Sequence, residues 1–299
     1  MIDKKNIDLH IHSSSSDGKF SAEKIPFLAK KAGLSTIALT DHDTIHGLYD
    51  FEKAGLNECI ETISGVEIEV NNVKRKFIEI HILGLFIDKT NVKLNKLLDF
   101  SLNERINQKK IIIDNLRKLG YNITFDEVNS IVQSEIGRPH IAKILLQKYP
   151  KKFNSISNVF EKLIGTGMPA FSPRLKLVSF EEAIKAIHSA GGLAILAHPF
   201  NYEKPFKIVD YFASLGGDGV ETIYNYGKTP FEEKWIKNEG NKKLLVYLTK
   251  LNLLQSGGSD FHGTKEWEPN LGELNVPYDF ILKMKNKLNN FSKGIGNYE

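Results

Sequence analysis

The sequence predicts a mixed α/β protein, in which two chain segments form a β/α domain and a helical insertion separates them. Two observations lead to this prediction. Strand-like and helix-like segments alternate over residues 1–95 and again over residues 176–299, as in folds that place helices around a parallel sheet. Residues 96–175 carry helical spacing only. At 299 residues the chain can form one or two hydrophobic cores.

The first segment alternates between short strands and helices. Ile25, Leu28 and Ala29 have the spacing of a helix face, and Thr44 is a suitable N-terminal cap for a second helix. The β-branched sequence STIALT favours a strand, and an Asn-Asn pair at residues 71–72 predicts a turn between two apolar strands. The predicted strands are residues 7–11, 35–40, 60–70 and 77–86, and the predicted helices are residues 21–31 and 44–54.

The rest of the chain changes character twice. A long charged helix and three shorter helices are predicted at residues 95–119, 124–134, 138–147 and 155–164. Alternation then returns, and the apolar run LAILA is typical of a buried strand. The predicted strands here are residues 193–197, 219–223 and 254–258, and the predicted helices are residues 179–190, 206–215, 230–251 and 277–288.

The composition predicts a globular protein of the reducing cytoplasm. The single cysteine, Cys59, excludes a disulfide framework and a cysteine-based zinc finger within these residues. We expect no membrane helix, because no apolar run approaches ~20 residues, and no signal peptide, because the first residues lead straight into a strand. The net charge of +4 is too weak to predict binding of long duplex nucleic acid.

Histidines and carboxylates coincide with the predicted strands and their ends. His10 and His12 are two residues apart on one strand, so their side chains share a face. Asp260 and His262 have the same spacing just after the last strand. Six of the nine histidines and three carboxylates have such positions: His10, His12, Asp17, His42, Glu67, His81, His198, Asp260 and His262.

This placement predicts a metal site rather than ordinary polar residues at strand ends. In α/β barrels the C-terminal strand ends form the active-site face, so these side chains are expected to converge. Imidazole and carboxylate ligands suit Zn, Mn or Fe. There are more candidate ligands than one ion can take, so we expect two or three divalent metal ions.

The same residues lie in motifs that resemble those of the PHP family, named for polymerase and histidinol phosphatase members. The motifs are HIHSSSSDG (10–18), TDHDT (40–44), GVEIEV (65–70), EIHILGL (79–85), AHP (197–199) and GSDFHG (258–263). The sequence GRPHIAK and the helical insertion resemble the subgroup of 3′,5′-nucleoside bisphosphate phosphatases and 5′→3′ exoribonucleases. The resemblance implies a distorted (β/α)7 TIM-like barrel, formed by residues 1–95 and 176–299, with residues 96–175 covering the active site.

The resemblance also implies a trinuclear metal centre. One ion would take His10, His12, Glu67 and Asp260. A second would share Glu67 and add His81 and His198, and a third would take Asp17, His42 and His262. Phosphate ester hydrolysis by a metal-bound hydroxide is then expected, with Asp17, His42, Glu67 and Asp260 as the catalytic residues.

Arg138 is the candidate for binding a second phosphate, because it begins a predicted helix and only five arginines occur in the chain. His140 and Ser14 are further candidate substrate contacts, and Arg174 is a weaker one. For Glu221 the sequence leaves open whether it lines the site or sits beside it. Tyr224, Tyr226 and Phe171 are open between base stacking and packing, while His46 and His188 are expected to have ordinary structural roles.

The expected substrate is a small nucleotide or oligonucleotide, with no membrane and no obligate protein partner. Two alternatives stay open. The protein could be a phosphatase for another small phosphoester such as histidinol phosphate, or a non-catalytic metal-binding PHP module. The complete ligand set argues against the module, and the helical insertion with its GRPH sequence favours nucleotides.

Overall fold

In the computed structural model, the described residues are 6–132, 136–174, 176–226, 239–263 and 270–295. They form two compact units. The first combines Met1–Leu98 with Val178–Glu299, and the second is Asp99–Leu177.

The first unit is built around one eight-stranded sheet. In chain order its strands are β1 (Asn6–Ile11), β2 (Leu34–Leu39), β3 (Glu61–Asn72), β4 (Phe77–Leu85), β5 (Leu193–Leu196), β6 (Gly219–Ile223), β7 (Leu254–Gly257) and β8 (Val276–Pro277). Their order in the sheet is β7-β6-β5-β4-β3-β2-β1-β8. From β1 to β7, neighbours in sequence are therefore neighbours in the sheet, as in a barrel whose strands are added one after another, while β8 pairs with β1.

The sheet is mostly parallel and nearly closed. Only β4, which pairs antiparallel with β3 and β5, and the two-residue β8 run against the other strands. The residues that follow β7 return to β1, where the amide of Asp260 donates to His10 O at 2.9 Å and the amide of His12 donates to Phe261 O at 2.9 Å. The predicted mixed α/β barrel is confirmed, with an eighth strand that the sequence did not reveal.

Helices pack around this sheet. They are α1 (Ile25–Lys31), α2 (Leu48–Glu58), α7 (Phe180–Ser189), α8 (Pro205–Ser214), α9 (Gly240–Leu251) and α10 (Asp279–Ile295). The strands are buried on both faces, which explains their continuous apolar sequences. Ile7, Leu9 and Ile11 of β1 are all fully buried.

Several predicted boundaries shift. Helix α2 begins at Leu48 after Gly47 rather than at Thr44, whose hydroxyl accepts from the amide of His46 at 3.3 Å. A Cβ on Gly47 would lie 2.7 Å from Ser15 Oγ, so the chain passes close to the 13–18 loop before the helix starts. The turn predicted at residues 71–72 comes slightly later, at Val73–Arg75. The first part of the helix predicted over residues 230–251 lies outside the described residues.

The second unit contains helices only, among its described residues. Helix α3 (Val92–Lys118) begins in the first unit and continues here, followed by α4 (Phe125–Asn129), α5 (Arg138–Lys148) and α6 (Ile156–Val159) with its π-helical extension Phe160–Ile164. The unit has its own hydrophobic core, which includes Ile112, Leu116, Ile141 and Leu145. In neither unit does a described helix have the length and apolar character needed to cross a membrane.

Candidate metal centre

All nine candidate ligands belong to the first unit and converge on one place. Strands supply three of them, and the segments that follow strands supply the others. They are His10 of β1, His12 and Asp17 beyond β1, His42 beyond β2, Glu67 of β3, His81 of β4, His198 beyond β5, and Asp260 and His262 beyond β7. Because parallel strands end on the same side of a barrel, residues far apart in sequence meet there.

Glu67 lies at the middle of the cluster and its side chain is only 1% exposed. Each of its two carboxylate oxygens is close to more than one imidazole. Oε1 lies 3.4 Å from His10 Nε2, 2.9 Å from His81 Nδ1 and 3.2 Å from His198 Nε2, while Oε2 lies 3.3 Å from His12 Nε2 and 2.9 Å from His42 Nδ1.

Two further carboxylates extend the cluster. Asp260 Oδ1 lies 3.3 Å from His10 Nε2 and 3.0 Å from His12 Nε2. Asp17 lies on the other side, with Oδ1 3.3 Å from His262 Nε2 and Oδ2 3.9 Å from His42 Nε2. The carboxylates thus alternate with imidazoles over the whole cluster.

Unsatisfied polar atoms show that this chemistry fits metal ions. Buried polar atoms normally form hydrogen bonds. Within the described chain, however, several buried atoms of the cluster have no hydrogen bond of acceptable geometry: His10 Nε2, both ring nitrogens of His12, Glu67 Oε2 and His81 Nδ1. Nitrogens of His10, His12 and His81 lie 2.9–3.4 Å from the carboxylate oxygens of Glu67 without being aligned as donor and acceptor. Lone pairs directed at a common centre are what a bound cation requires.

Three groups of ligand atoms, each within 4.8 Å of one another, have a suitable geometry. They are His10–His12–Glu67–Asp260, His12–Asp17–His42–His262 and His42–Glu67–His81. The first has the same members as the first set that the family resemblance implies. The second also contains His12, and the third has His42 in place of His198. His198 nevertheless has its Nε2 3.2 Å from Glu67 Oε1.

The electrostatics of the cluster favour cations. Burial opposes charge on His10, but the carboxylates of Glu221, Glu67 and Asp260 together raise the pKa of His10 well above its usual value. The same balance raises the pKa of His12 to about 10. Burial would raise the pKa of Glu67, yet the neighbouring imidazoles hold it well below its usual range. The carboxylates therefore stay ionised only beside positive charge, which protons supply in the metal-free protein.

Comparison with known proteins identifies the family. The sequence profile of the PHP domain matches residues 8–165, which is more than half of the chain. The chain belongs to the PHP family. The predicted resemblance is confirmed, and so is the prediction that the protein is a hydrolase of phosphate esters.

Relatives match this PHP protein over most of their length. It is 35% identical to a 5′-3′ exoribonuclease of Haemophilus influenzae over 268 residues, covering 88% of this chain and 92% of the relative. It is 28% identical to a 3′,5′-nucleoside bisphosphate phosphatase of Chromobacterium violaceum, covering 89% and 90%. A solved structure described as a metal-dependent phosphoesterase of Bifidobacterium adolescentis has a TM-score of 0.81 and 25% identity, covering 95% of this chain and 96% of that one.

The PHP cluster is supported by a strained backbone. His198 has φ of 27° and Asp260 has φ of 55°, values that side-chain-bearing residues rarely adopt. Such strain persists only where the surrounding structure enforces it, and it is common at functional sites. Here it occurs where the chain leaves β5 and β7 and turns a side chain into the cluster.

The loop that carries Asp17 is fixed by a second, fully buried carboxylate. Asp41 accepts from the amide of Ser13 at 2.7 Å, from its hydroxyl at 2.7 Å and from the hydroxyl of Ser16 at 2.6 Å. A Cβ on Gly18 would lie 2.5 Å from His12 O, so this tight return requires glycine. Ser14 is half-buried in this loop, and its substrate contact stays a prediction.

Three residues around the cluster have roles that the sequence did not fix. Glu221 lines the site: its carboxylate lies 3.2 Å from His10 Nδ1. Tyr224 donates to Asp260 Oδ2 at 2.9 Å, which assigns its hydroxyl a partner within the site. Tyr202, which no motif singled out, has its hydroxyl 3.2 Å from His198 Nδ1.

The candidate substrate residues of the second unit are described within that unit. Arg138 is the first residue of α5, and its guanidinium lies 5.8 Å and 5.7 Å from the rings of Phe160 and Phe171. The Nδ1 atom of His140 accepts from the amide of Gly137 at 2.9 Å, so His140 helps to cap α5. Their contacts with substrate stay predictions. Arg174 is buried and donates to Ser101 Oγ at 3.0 Å, in agreement with a structural role.

Proposed function

We propose that this PHP protein releases the 3′-phosphate of 3′,5′-nucleoside bisphosphates, and that short 5′-phosphorylated RNA is a second substrate, degraded from the 5′ end. The observation that carries the proposal is the set of unsatisfied ligand atoms around Glu67. The relatives named as exoribonuclease and bisphosphate phosphatase support the choice of substrates. We expect the enzyme to act in the cytoplasm, without long duplexes or an obligate protein partner.

The nine clustered residues would hold two or three divalent ions, Mn, Fe or Zn. When bound, such ions stabilise charge on the phosphoryl oxygens and lower the pKa of a coordinated water. In the reaction, a water oxygen forms a bond to phosphorus and the bond from phosphorus to the ribose 3′ oxygen breaks. The departing oxygen takes up a proton, which leaves a 3′ hydroxyl and inorganic phosphate.

The exposure of the ligands indicates where the phosphoryl group meets the cluster. The side chains of Asp17, Asp260 and His81 are 24%, 20% and 22% exposed, whereas that of Glu67 is 1% exposed. The phosphoryl group therefore approaches the partly exposed edge, and Glu67 holds the cluster together from beneath. We propose Asp17, His42, Glu67 and Asp260 as the catalytic residues.

A second phosphate distinguishes a bisphosphate from a simple ester, and we propose that Arg138 binds it. An arginine at the start of α5 combines a planar fork for phosphate oxygens with the amide groups of a helix N-terminus. The neighbouring rings of Phe160 and Phe171 support the guanidinium from the side. His140 and Ser14 are proposed as further phosphate contacts.

The test is phosphate release after chelation and reconstitution with Mn²⁺, Fe²⁺ or Zn²⁺. Three substrates are compared: 3′-phosphoadenosine 5′-phosphate, a short 5′-phosphorylated RNA and histidinol phosphate. The proposal predicts the highest kcat/KM for the bisphosphate, measurable release from the RNA, and no release in chelator. A preference for histidinol phosphate would show that the substrate is not a nucleotide. If no ester releases phosphate and no metal is bound, the result would favour a non-catalytic module.

The role of Arg138 has its own test. Loss of a charged hydrogen bond costs about 1.5–3 kcal/mol, so Arg138→Ala should raise KM for the bisphosphate by roughly 10- to 150-fold. KM for an aryl phosphate should change little. Arg117→Ala is the matched control, because Arg117 is an exposed arginine of the same unit. Equal effects of Arg138→Ala on both substrates would disprove this role.

A further inference from the structure

Each imidazole of the cluster has an inner ring nitrogen, which faces the other ligands, and an outer ring nitrogen, which faces away from them. The protonation of the outer nitrogen determines whether the inner nitrogen can bind a cation. A neutral imidazole carries one proton, so a ring nitrogen can serve as a ligand only when the other nitrogen holds that proton. In metal sites the outer N–H is normally donated to a carboxylate, a carbonyl or another oxygen. His262 follows this rule through the backbone, since its Nδ1 lies 2.8 Å from Asp260 O. For His10 and His198, the oxygen near the outer nitrogen belongs to a side chain instead.

Glu221 faces the outer nitrogen of His10. Its oxygens lie 3.2 Å and 3.3 Å from His10 Nδ1, and Oε2 also accepts from the amide of His198 at 2.8 Å. Carboxylate oxygens accept hydrogen bonds, so a neutral His10, the form that can bind a cation, carries its one proton on Nδ1. Its Nε2 lone pair then faces Glu67 Oε1 at 3.4 Å and Asp260 Oδ1 at 3.3 Å.

Tyr202 occupies the corresponding place beside His198. Its hydroxyl oxygen accepts from the amide of His81 at 2.9 Å and lies 3.2 Å from His198 Nδ1. One oxygen thus joins the backbone of β4 to the ring of a residue that follows β5. On the inner side, His198 Nε2 lies 3.2 Å from Glu67 Oε1.

We propose that Glu221 and Tyr202 are positioning residues, which keep the ring protons of His10 and His198 on Nδ1 so that both Nε2 atoms can bind divalent cations. The inference rests on the proposed metal centre but not on the identity of the substrate. It also explains why Glu221 is a carboxylate. Glu221 is fully buried near Glu67 and Asp260, where a fourth acidic group is costly unless its acceptors are needed.

Glu221→Gln is the most direct test because it preserves shape. If the oxygen of the new side-chain amide accepts from the backbone N–H of His198, the NH₂ of that amide faces His10 Nδ1. It then favours a proton on Nε2 of His10. We expect at least about 10-fold weaker Mn²⁺ binding by calorimetry, within the 10- to 100-fold range for such partners. In the protein loaded with diamagnetic Zn²⁺, the ¹⁵N shifts of His10 should lose the pattern of a metal-bound Nε2 beside a protonated Nδ1.

Two further variants make the test specific. Tyr202→Phe keeps the ring and should weaken Mn²⁺ binding less, by about threefold to tenfold, with the tautomer change confined to His198. Glu61→Gln is the matched control: it is the same substitution at the first residue of β3, outside the nine clustered side chains, and it should alter neither Mn²⁺ affinity nor the histidine shifts.

The outcomes are separable. This inference is overturned, and the proposed function left intact, if Glu221→Gln and Tyr202→Phe both keep the Mn²⁺ affinity, stoichiometry and histidine shifts of the wild type. Failure of the wild-type protein to bind Mn²⁺, Fe²⁺ or Zn²⁺ would overturn both. If Glu221→Gln does not fold, as judged by circular dichroism, Tyr202→Phe and its His198 shifts decide.

Discussion

The two ends of the barrel strands carry similar residues. At one end the carboxylates have hydrogen-bond donors, whereas in the metal centre several buried polar atoms have no hydrogen bond within the described residues. Asp218, just before β6, is a buried carboxylate beside a histidine, as in the metal centre. Its Oδ2 lies 2.7 Å from His188 Nε2 and accepts from the amide of Ala194 at 2.9 Å, while its Oδ1 lies 2.8 Å from Lys287 Nζ. Each carboxylate oxygen therefore has a donor of its own.

Glu61 repeats this arrangement at the start of β3. It accepts from Thr36 Oγ1 at 2.7 Å and from the hydroxyl of Tyr278 at 3.0 Å, and it pairs with Lys285. Six residues further along the same strand, Glu67 has only crowded imidazoles around it, and its Oε2 forms no hydrogen bond within the described residues. On one strand, the same residue type thus has its hydrogen-bond partners at Glu61 and lies among the candidate metal ligands at Glu67.

The largest expected effect comes from Glu67→Gln. Loss of the shared carboxylate should remove most bound metal and lower kcat/KM by more than about 100-fold, beyond the effect of losing an outer partner. Glu61→Gln should leave both quantities near wild type. Metal per chain and phosphate release are measured on the same preparations. Equal losses in the two variants would remove the distinction between the two ends.

Metal removal should reveal the same asymmetry in stability. A ligand at 100 times its Kd adds about 2.7 kcal/mol to the free energy of unfolding, if it binds only the folded state. We expect Mn²⁺ to stabilise the wild-type protein and Glu61→Gln by this amount, and to have almost no effect on Glu67→Gln. Urea unfolding with Mn²⁺ or chelator measures the difference. Stabilisation of Glu67→Gln as large as that of wild type would place the ions elsewhere.

Asp218→Asn should act on stability alone. Loss of its charged hydrogen bonds should lower the free energy of unfolding by about 2 kcal/mol at neutral pH, with metal binding unchanged. Although burial acts in the other direction, hydrogen bonds with His188 and Lys287 lower the pKa of Asp218. Its contribution is therefore present above the ordinary pKa near 4 and is lost as the pH falls through the lowered folded value.

The free energy of unfolding, measured at decreasing pH, tests this direction of the pH dependence. The gap between wild type and Asp218→Asn should shrink as the pH falls below about 4, because the wild-type carboxylate then takes up its proton. Urea unfolding at a series of pH values measures the gap. A gap that widens on acidification would show that the hydrogen bonds do not depend on the ionised carboxylate.

The smallest effect is expected for Lys285→Met. Lys285 is 40% exposed, and pairs of this kind contribute at most about 1 kcal/mol. Glu61 raises the pKa of Lys285, so its contribution is present at neutral pH and is lost as the pH rises through the folded value. Unfolding at pH 7 and at high pH measures it. A loss that is larger at high pH would have the wrong sign.

Much of the site could be predicted because its geometry follows from strand ends. His10 and His12 share a strand face, and the parallel order of β1, β2 and β3 brings His42 and Glu67 beside them. That reasoning needs only periodicity and topology. It does not give the outer partners: Tyr202 reaches the amide of His81 only because β4 runs antiparallel beside β5.

The misplaced boundaries have similarly long-range causes. Thr44 has the chemistry of a helix cap, yet α2 starts later, where Gly47 passes close to Ser15 and Ala22. Strand β8 has two residues, too few for any alternation, and exists because Val276 pairs with Ile7. Neither the start of α2 nor the presence of β8 could be predicted from local sequence, because both depend on residues far away in the chain.

Diffraction from crystals grown with Mn²⁺, recorded at the manganese absorption edge, tests the central claim most directly. The account predicts two or three anomalous peaks among the nine clustered side chains, at least one of them shared by Glu67, and none at Asp218 or Glu61. An absence of peaks around Glu67, or a peak only at the opposite strand ends, would contradict it.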